Sequence, residues 1–135
     1  MNRVYQELKK VGVFYISTMD GDQPRVRPFG GLALFEDKCY ILMNNQKKVF
    51  QQVMKNPKIE ITALYPREGE CWMRLEGVVV HDERREAKHA MLEQNPHLRQ
   101  MYSEDDGLLE VFYLDNVRCT KYSFYKEPEI IQFRK

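Results

Sequence analysis

The chain has 135 residues, 43% hydrophobic and 30% charged, a size and composition typical of one globular domain. We therefore expect a single domain over residues 1–135. The formal net charge of +1 argues against a nucleic-acid protein that is basic throughout, and no apolar run is long enough for a membrane span. The first residues are unlike a signal peptide, and three cysteines without a CxxC pair indicate a reduced, cytoplasmic protein.

The first third of the chain predicts one helix followed by strands. Val4, Leu8 and Val11 recur at helical spacing, and Gly12 ends this helix. Strands are predicted over residues 13–19, over the stretch PRVRPFGG (residues 24–31), and as a hairpin over residues 32–43 that turns at Glu36-Asp37. The segment NNQKKVFQQVMKNPK then predicts an amphipathic helix, capped by Asn44 or Asn45 and ended before Pro57.

The remainder predicts mainly strands. These are residues 59–65, residues 71–81 with a bulge or bend at Gly77, and the two segments EVFYLD and VRCTKYSFY, before a tail PEIIQF. A charged helix begins after Asp82, its predicted cap, and Pro96 interrupts it. About eight strands, mostly adjacent in sequence, favour a mainly β fold of the α+β type: an antiparallel split β-barrel of six to eight strands with peripheral helices. GxGxxG and GxxxxGK[ST] are both absent, which weakens nicotinamide-dinucleotide and P-loop interpretations.

Two adjacent lysines, Lys47 and Lys48, stand where the second helix begins. The first turn of a helix carries unsatisfied N–H groups and partial positive charge, so lysines are mildly unfavourable there. With no acidic residue between positions 44 and 55, this pair invites an anion such as a phosphate. The alternative is that both side chains simply point into solvent.

Arg25 and Arg27 form a second basic pair. On an extended strand they share a face with Phe29, roughly 6–7 Å apart. If they project toward the helix start, four cations converge, and a phosphate monoester would match that charge. The alternative is a solvated strand face with salt bridges to neighbouring acids.

The remaining candidate residues give weaker evidence. Trp72, the only tryptophan, shares a strand face with Arg74 and Glu76, where it could stack on a planar ring or lie in the core or a dimer interface. The three histidines are spaced by eight residues, which does not favour a metal site. No nucleophilic triad is indicated, and the cysteines are interpreted as small hydrophobic strand residues.

The segments PRVRPF, LMNNQKK, NPKIEI and WMRLEG follow one another in this order. In this order and spacing the chain resembles the pyridoxamine 5′-phosphate oxidase-like flavoproteins with an FMN-binding split barrel. The similarity runs from about residue 11 to 80 and more loosely to 133. The resemblance implies a homodimer with an FMN in each of two clefts at the subunit interface. It also implies an oxidoreductase in which FMN carries the electron transfer while the protein binds and orients it.

The resemblance also implies roles for nine residues. Arg27 matches the family arginine expected on the FMN phosphate or ribityl chain, with Arg25 as a second candidate. Val26 and Pro28 would offer backbone groups to the flavin edge, Met43 and Asn44 lie against the flavin, and Lys47 and Lys48 hold the phosphate. Trp72 falls where the pyridoxamine phosphate oxidases have a glutamine. No side chain is singled out as a catalytic acid or base.

The chain departs from the oxidases in its last segment, KEPEIIQFRK, which has no tryptophan and no Arg-Leu motif. We therefore expect an FMN-dependent oxidoreductase of unidentified small substrate rather than a pyridoxamine phosphate oxidase. A non-catalytic flavin- or haem-binding carrier or sensor is the alternative. A deazaflavin in place of FMN, and a barrel that has lost its cofactor and binds a partner, also stay open.

Overall fold

A computed structural model describes residues 1–134 of the chain. The α-helices are α1 (Asn2–Val11), α2 (Lys48–Lys55) and α3 (Arg85–Gln94), and a 3₁₀ helix covers Pro96–Gln100. The strands are β1 (Phe14–Asp20), β2 (Gln23–Phe29), β3 (Ala33–Phe35), β4 (Lys38–Asn44), β5 (Lys58–Leu64), β6 (Cys71–Asp82), β7 (Leu109–Ser123) and β8 (Glu129–Phe133). The predicted single domain includes Lys135, which lies outside the described residues; the domain assignment itself stays a prediction.

The eight strands form one sheet in the order β2-β1-β5-β6-β7-β4-β3, and β8 pairs with β7. Each of these pairs is antiparallel. The predicted fold class, a mainly β antiparallel split barrel with peripheral helices, is therefore confirmed. Helix α2 packs against β1 and β4, and β2 pairs with β1 at the end of the sheet.

On β1 and β5, side chains alternate between a buried inner face and a more exposed outer face. On β1, Phe14, Ile16 and Thr18 are buried while Tyr15 is 47% exposed. Every second residue of β5 is buried in the same way, and α1 closes the core with its own buried side chains Val4, Leu8 and Val11. Because apolar burial contributes about 25 cal/mol per Å², this inner face supplies most of the favourable energy of the fold.

Two predicted local features are confirmed. The β3–β4 hairpin turns at Glu36 and Asp37, with φ of 51° and 59°, as a two-residue turn with positive φ at both central positions requires. The register of β6 against β7 shifts between Glu76 and Val78, where Gly77 lies opposite two residues of β7, Asn116 and Val117, so the irregularity is at Gly77 but the bulged strand is β7. A β-carbon at Gly77 would lie 2.8 Å from the carbonyl oxygen of Asp115, so only glycine fits this close approach.

Both predicted helix caps are wrong. Helix α2 has Lys47 at its N-cap without a side-chain cap, because Asn44 Oδ1 instead accepts from the Gln46 N–H at 2.8 Å, inside the preceding turn. Helix α3 has Arg84 at its N-cap. Asp82 ends β6, where its carboxylate accepts from Arg84 and from the Tyr40 hydroxyl, at 2.7 Å in the second case. These hydrogen bonds hold the pKa of Asp82 at about 2.

The two predicted strands EVFYLD and VRCTKYSFY form one strand, β7. Asn116, with φ of 51°, lies between them and forms, with Val117, the bulge opposite Gly77, so β7 accommodates an extra residue and continues as one strand. The predicted tail PEIIQF contains β8. Within residues 1–134, no helix has both the length and the apolar character needed to cross a membrane.

Candidate functional site

A cleft of about 490 Å³ opens where the ends of β2 and β4 meet the start of α2 and the segment after α3. Its size lies in the range of sites for small molecules and cofactors. It is lined by Arg27, Pro28, Phe29, Gly30, Gly31, Leu42, Met43, Asn44, Lys47, Lys48, Val49, Leu98, Met101 and Tyr102. We call this the α2 cleft.

The α2 cleft is basic at the end formed by α2. Lys47 and Lys48 are exposed there, and the first turn of the helix contains no acidic residue. Neither lysine forms an ion pair with any residue of the described part of the chain. The partial positive charge of the helix start adds to theirs, so this end of the cleft attracts anions.

Arg27 is fixed beside this basic end by hydrogen bonds to β1 and α2. Its Nη1 donates to Thr18 Oγ1 at 2.8 Å and to the Ile16 carbonyl at 3.3 Å, and its Nη2 donates to Gln52 Oε1 at 2.9 Å. Thr18 Oγ1 donates in turn to Gln52 Oε1 at 2.6 Å. Burial, together with the charge of Arg25, lowers the pKa of Arg27 from its ordinary value.

Another part of the lining of the α2 cleft is apolar. Leu98, Met101 and Tyr102, from the 3₁₀ helix and the residues that follow it, form one side. Gly31 lies so close to Leu42 that a β-carbon on it would clash with the leucine side chain. A cationic part and an apolar part in one cleft suit a ligand with an anionic group and a flat apolar body.

Six of the nine predicted site residues line this one cleft. They are Arg27, Pro28, Met43, Asn44, Lys47 and Lys48. The sequence left open whether the basic strand projects toward the basic helix start; three of the four cations, Arg27, Lys47 and Lys48, line the same cleft. Binding of a cofactor by these six residues stays a prediction.

The other three predicted residues do not line the α2 cleft. Arg25 is exposed and pairs with Asp20 at 3.2 Å, which is the salt bridge given above as the alternative. Val26, 68% exposed, points to the outer face of the sheet, as does Trp72. The indole of Trp72 stacks on Tyr122, with ring centroids 5.6 Å apart and planes 17° from parallel.

The outer face of the sheet carries several exposed apolar side chains. Leu64, 71% exposed, lies across from Trp72 in the β5–β6 pairing, and Phe124 contacts Trp72 with ring centroids 4.9 Å apart. Tyr15 on β1 and Val26 on β2 extend the same surface. We call Tyr15, Val26, Leu64, Trp72, Tyr122 and Phe124 the outer apolar face.

Sequence reasoning missed the two polar residues that hold Arg27. Both carried a detectable pattern: Thr18 continues the buried alternation of Phe14 and Ile16, and Gln52 lies between buried Val49 and Val53 on α2. A polar residue at a buried position needs a hydrogen-bond partner, so each indicated one. Leu98, Met101 and Tyr102 carried no such pattern, because the path of the chain after Pro96 is set by tertiary packing.

The cysteines take no part in the cleft. Cys39 and Cys119 are buried, and burial raises the pKa of each thiol to about 12, which is typical of unreactive structural cysteines. The interpretation of these two as small hydrophobic strand residues agrees with their positions in the core.

Several solved structures share this fold. A pyridoxamine 5′-phosphate oxidase-related, FMN-binding protein from Nostoc punctiforme has a TM-score of 0.67 and 14% identity, covering 92% of this chain and 80% of its own. A haem-binding protein from Mycobacterium smegmatis has a TM-score of 0.74 and 16% identity, covering 95% of this chain and 55% of its own. The fold is thus that of the pyridoxamine 5′-phosphate oxidase-like split barrels.

A much more similar structure is that of a NimC/NimA family protein from Clostridium acetobutylicum. It has 47% sequence identity and a TM-score of 0.91, covering 96% of this chain and 90% of its own. The chain belongs to the NimC/NimA family. A scan against models of protein families and a search of curated proteins gave no match.

The hydrogen bonds around Arg27 can be tested by Thr18→Val, which keeps the shape of the side chain and removes its hydroxyl. We expect the free energy of unfolding, measured by urea denaturation, to fall by about 1–2 kcal/mol, because a partly buried guanidinium loses an acceptor. The matched control is Thr62→Val on the exposed side of β5, where the hydroxyl donates to the Met73 carbonyl at 2.8 Å. Equal losses in the two variants would contradict a special role for Thr18.

Proposed function

We propose that the chain is an FMN-binding oxidoreductase that acts on a small substrate. The observation that carries this proposal is the α2 cleft, which is lined both by the cations Arg27, Lys47 and Lys48 and by the side chains of Leu42, Leu98 and Met101. Such a cleft fits a ligand with a phosphate and a flat ring system. Membership of a family whose fold includes an FMN-binding protein supports the choice of FMN.

The residues of the cleft divide the work of binding. Lys47 and Lys48, together with the N–H groups of the first turn of α2, would hold the phosphate, and Arg27 would add a fixed positive charge nearby. Pro28, Met43 and Asn44 would contact the ring system from the ends of β2 and β4. Bound FMN would supply the electron transfer, and the chain would supply orientation and electric field.

The alternative function is a non-catalytic carrier or sensor that binds a flavin or haem. The observation that favours it is the haem-binding protein from Mycobacterium smegmatis, which has the same fold. The cationic end of the cleft suits any ligand with an anionic group, including a deazaflavin. These ligands differ in absorption, so the distinction is experimental.

We further propose that the protein is a homodimer in which each cleft is completed by the partner subunit. The outer apolar face supports this, because exposed apolar patches of several neighbouring side chains mark interaction surfaces. A dimer would also explain the positions of Val26 and Trp72. These two predicted cofactor residues face away from the α2 cleft of their own chain. In a dimer they could reach the cleft of the second copy.

The cofactor assignment is tested by the absorption spectrum of the purified protein. We expect flavin bands, and we expect heat to release a flavin that chromatography identifies as FMN, because the basic end of the cleft selects a phosphate. Haem or deazaflavin absorption in place of these bands would support the alternative ligands. A colourless protein that takes up no added FMN would rule out both flavin proposals.

If FMN is bound, turnover distinguishes an enzyme from a carrier. The assay measures oxidation of reduced nicotinamide cofactor with a quinone or a nitroaromatic compound as acceptor. Steady turnover that depends on bound FMN would support the oxidoreductase. Tight FMN binding without turnover on any acceptor of these classes would favour the carrier.

The phosphate site is tested by Lys48→Glu. We expect FMN binding to weaken by at least about tenfold, or about 1.4 kcal/mol, because a carboxylate replaces an ammonium group at the helix start. The measurement is a fluorescence titration with FMN. The matched control is Lys55→Glu, the same charge change on an exposed residue in the last turn of α2. Unchanged affinity in Lys48→Glu would show that the helix start does not bind the phosphate.

The dimer is tested by light scattering of the protein and of Leu64→Lys. We expect twice the chain mass for the wild-type protein and a shift toward the monomer in the variant, because the lysine would place a charge in the outer apolar face. Met54→Lys, on an exposed apolar residue of α2 outside that face, is the control. A strictly monomeric wild-type protein that still binds FMN tightly would contradict the shared cleft.

A further inference from the structure

A cluster of three polar side chains lies behind the turn that precedes α2. Asn45 belongs to the turn, His81 to β6 and Glu110 to β7. His81 Nε2 and Glu110 Oε1 are 2.8 Å apart, and Asn45 Nδ2 donates to Glu110 Oε2, also at 2.8 Å. The side chains of His81 and Glu110 are only 18% and 14% exposed, and none of the three residues lines the α2 cleft.

Asn45 fastens the turn to the start of β7. Its side-chain amide donates to the Gly107 carbonyl at 2.7 Å as well as to Glu110, so both of its donor hydrogens are used. Its backbone N–H donates to the Leu108 carbonyl at 2.9 Å. The Lys47 N–H donates to the Asn44 carbonyl at 3.0 Å, which closes the turn. The two lysines therefore come immediately after a turn that is held in place by hydrogen bonds.

His81 holds the Glu110 carboxylate in place, and this carboxylate accepts a hydrogen bond from the Asn45 side chain. Because a carboxylate oxygen accepts hydrogen bonds, the hydrogen of this imidazole lies on Nε2. The ring stacks on Phe112, with centroids 4.7 Å apart, and meets Phe50 of α2 edge-on at 5.7 Å. The same histidine therefore contacts α2 two residues after Lys48, while its hydrogen bond through Glu110 reaches the turn before Lys47.

Glu110 is a carboxylate close to a turn that carries two lysines, yet neither lysine pairs with it in the described part of the chain. One of its oxygens is occupied by His81 and the other by Asn45. The cluster thus places the turn without providing a competing partner for the lysine ammonium groups.

We propose that Glu110 is a positioning residue for the anion-binding turn, acting through Asn45 and held in place by His81. This inference rests on the proposed function, in which Lys47 and Lys48 bind the phosphate of FMN. Glu110 itself does not touch the ligand. Its contribution is to keep the turn in the one arrangement that directs both lysines and the first turn of α2 at the same anion.

The test compares FMN with riboflavin, which has the same ring system and no phosphate. Glu110→Ala is expected to weaken FMN binding at least about fivefold, since the half-buried amide of Asn45 loses an acceptor and the turn loosens. Riboflavin binding should stay within about twofold, because the ring end of the cleft is untouched. Both affinities are measured by fluorescence titration of the full-length protein.

Glu110→Gln is the conservative variant. Its amide oxygen can still accept from Asn45, and its NH₂ group can donate to His81 in the other tautomer, so FMN affinity should largely recover. Glu36→Ala is the matched control, because it removes an exposed, Arg84-paired carboxylate from the far end of the β3–β4 hairpin. If Glu110→Ala does not fold, Asn45→Ala removes the same link from the turn side and takes its place.

The possible results separate the two proposals. Failure of the wild-type protein to bind FMN would overturn the proposed function and the positioning role with it. Wild-type binding of FMN with no effect of Glu110→Ala would overturn the positioning role alone. Equal losses of FMN and riboflavin affinity would also overturn it, because they would show that Glu110 supports the whole cleft rather than the phosphate end.

Discussion

The position of α2 on the sheet depends on a closed set of hydrogen bonds beneath it. Gln52 Oε1 accepts from Thr18 Oγ1 and from Arg27, and Arg27 also donates to Thr18. A buried amide oxygen needs partners, and a partly buried guanidinium needs acceptors, so each residue satisfies the other two. These hydrogen bonds join β1, β2 and α2. They therefore fix where the start of α2, and with it the basic end of the cleft, lies on the sheet.

These hydrogen bonds also limit what Arg27 can offer a ligand. Of its five donor hydrogens, Nη1 uses two on Thr18 and Ile16, and Nη2 uses one on Gln52. The Nε hydrogen and one Nη2 hydrogen remain for a ligand. The side-chain ammonium groups of Lys47 and Lys48 bond to no residue among positions 1–134, so the anion contacts at this end fall mainly to the lysines. Arg27 contributes a fixed charge and a rigid edge.

Much of the fold could be predicted from local sequence. The Glu36-Asp37 turn follows from residues that tolerate positive φ, the irregularity at Gly77 follows from a glycine inside a strand, and the inner face follows from alternation. The predicted caps failed because the oxygen of each predicted capping side chain accepts from donors other than the N–H groups of the helix. Asn44 bonds within its own turn, and Asp82 bonds to Tyr40 and Arg84, which only the folded structure brings together.

The sequence predicts which charged residues contribute to the candidate site better than it predicts where their side chains point. Alternation on β2 correctly places Arg25 and Arg27 on one side and Val26 on the other, but Arg25 finds Asp20 across the turn, only five residues away in sequence. Long-range partners were the least accessible: Glu110 and His81 lie 65 and 36 residues from Asn45, and nothing local to the turn reveals them.

Helix α2 is therefore held from two sides by polar residues that do not depend on its own capping. On one side Gln52 binds Thr18 and Arg27, and on the other Asn45 binds the start of β7 and Glu110. A capping side chain would accept hydrogen bonds from the N–H groups of the helix start, and an acidic neighbour would pair with its lysines. Neither group would then be free to bind an anion. Because support comes from elsewhere, among residues 1–134 only the Phe50 N–H of the first turn is used locally, on the Lys47 carbonyl at 3.1 Å, and the positive charge of this turn stays available to an anion in the cleft.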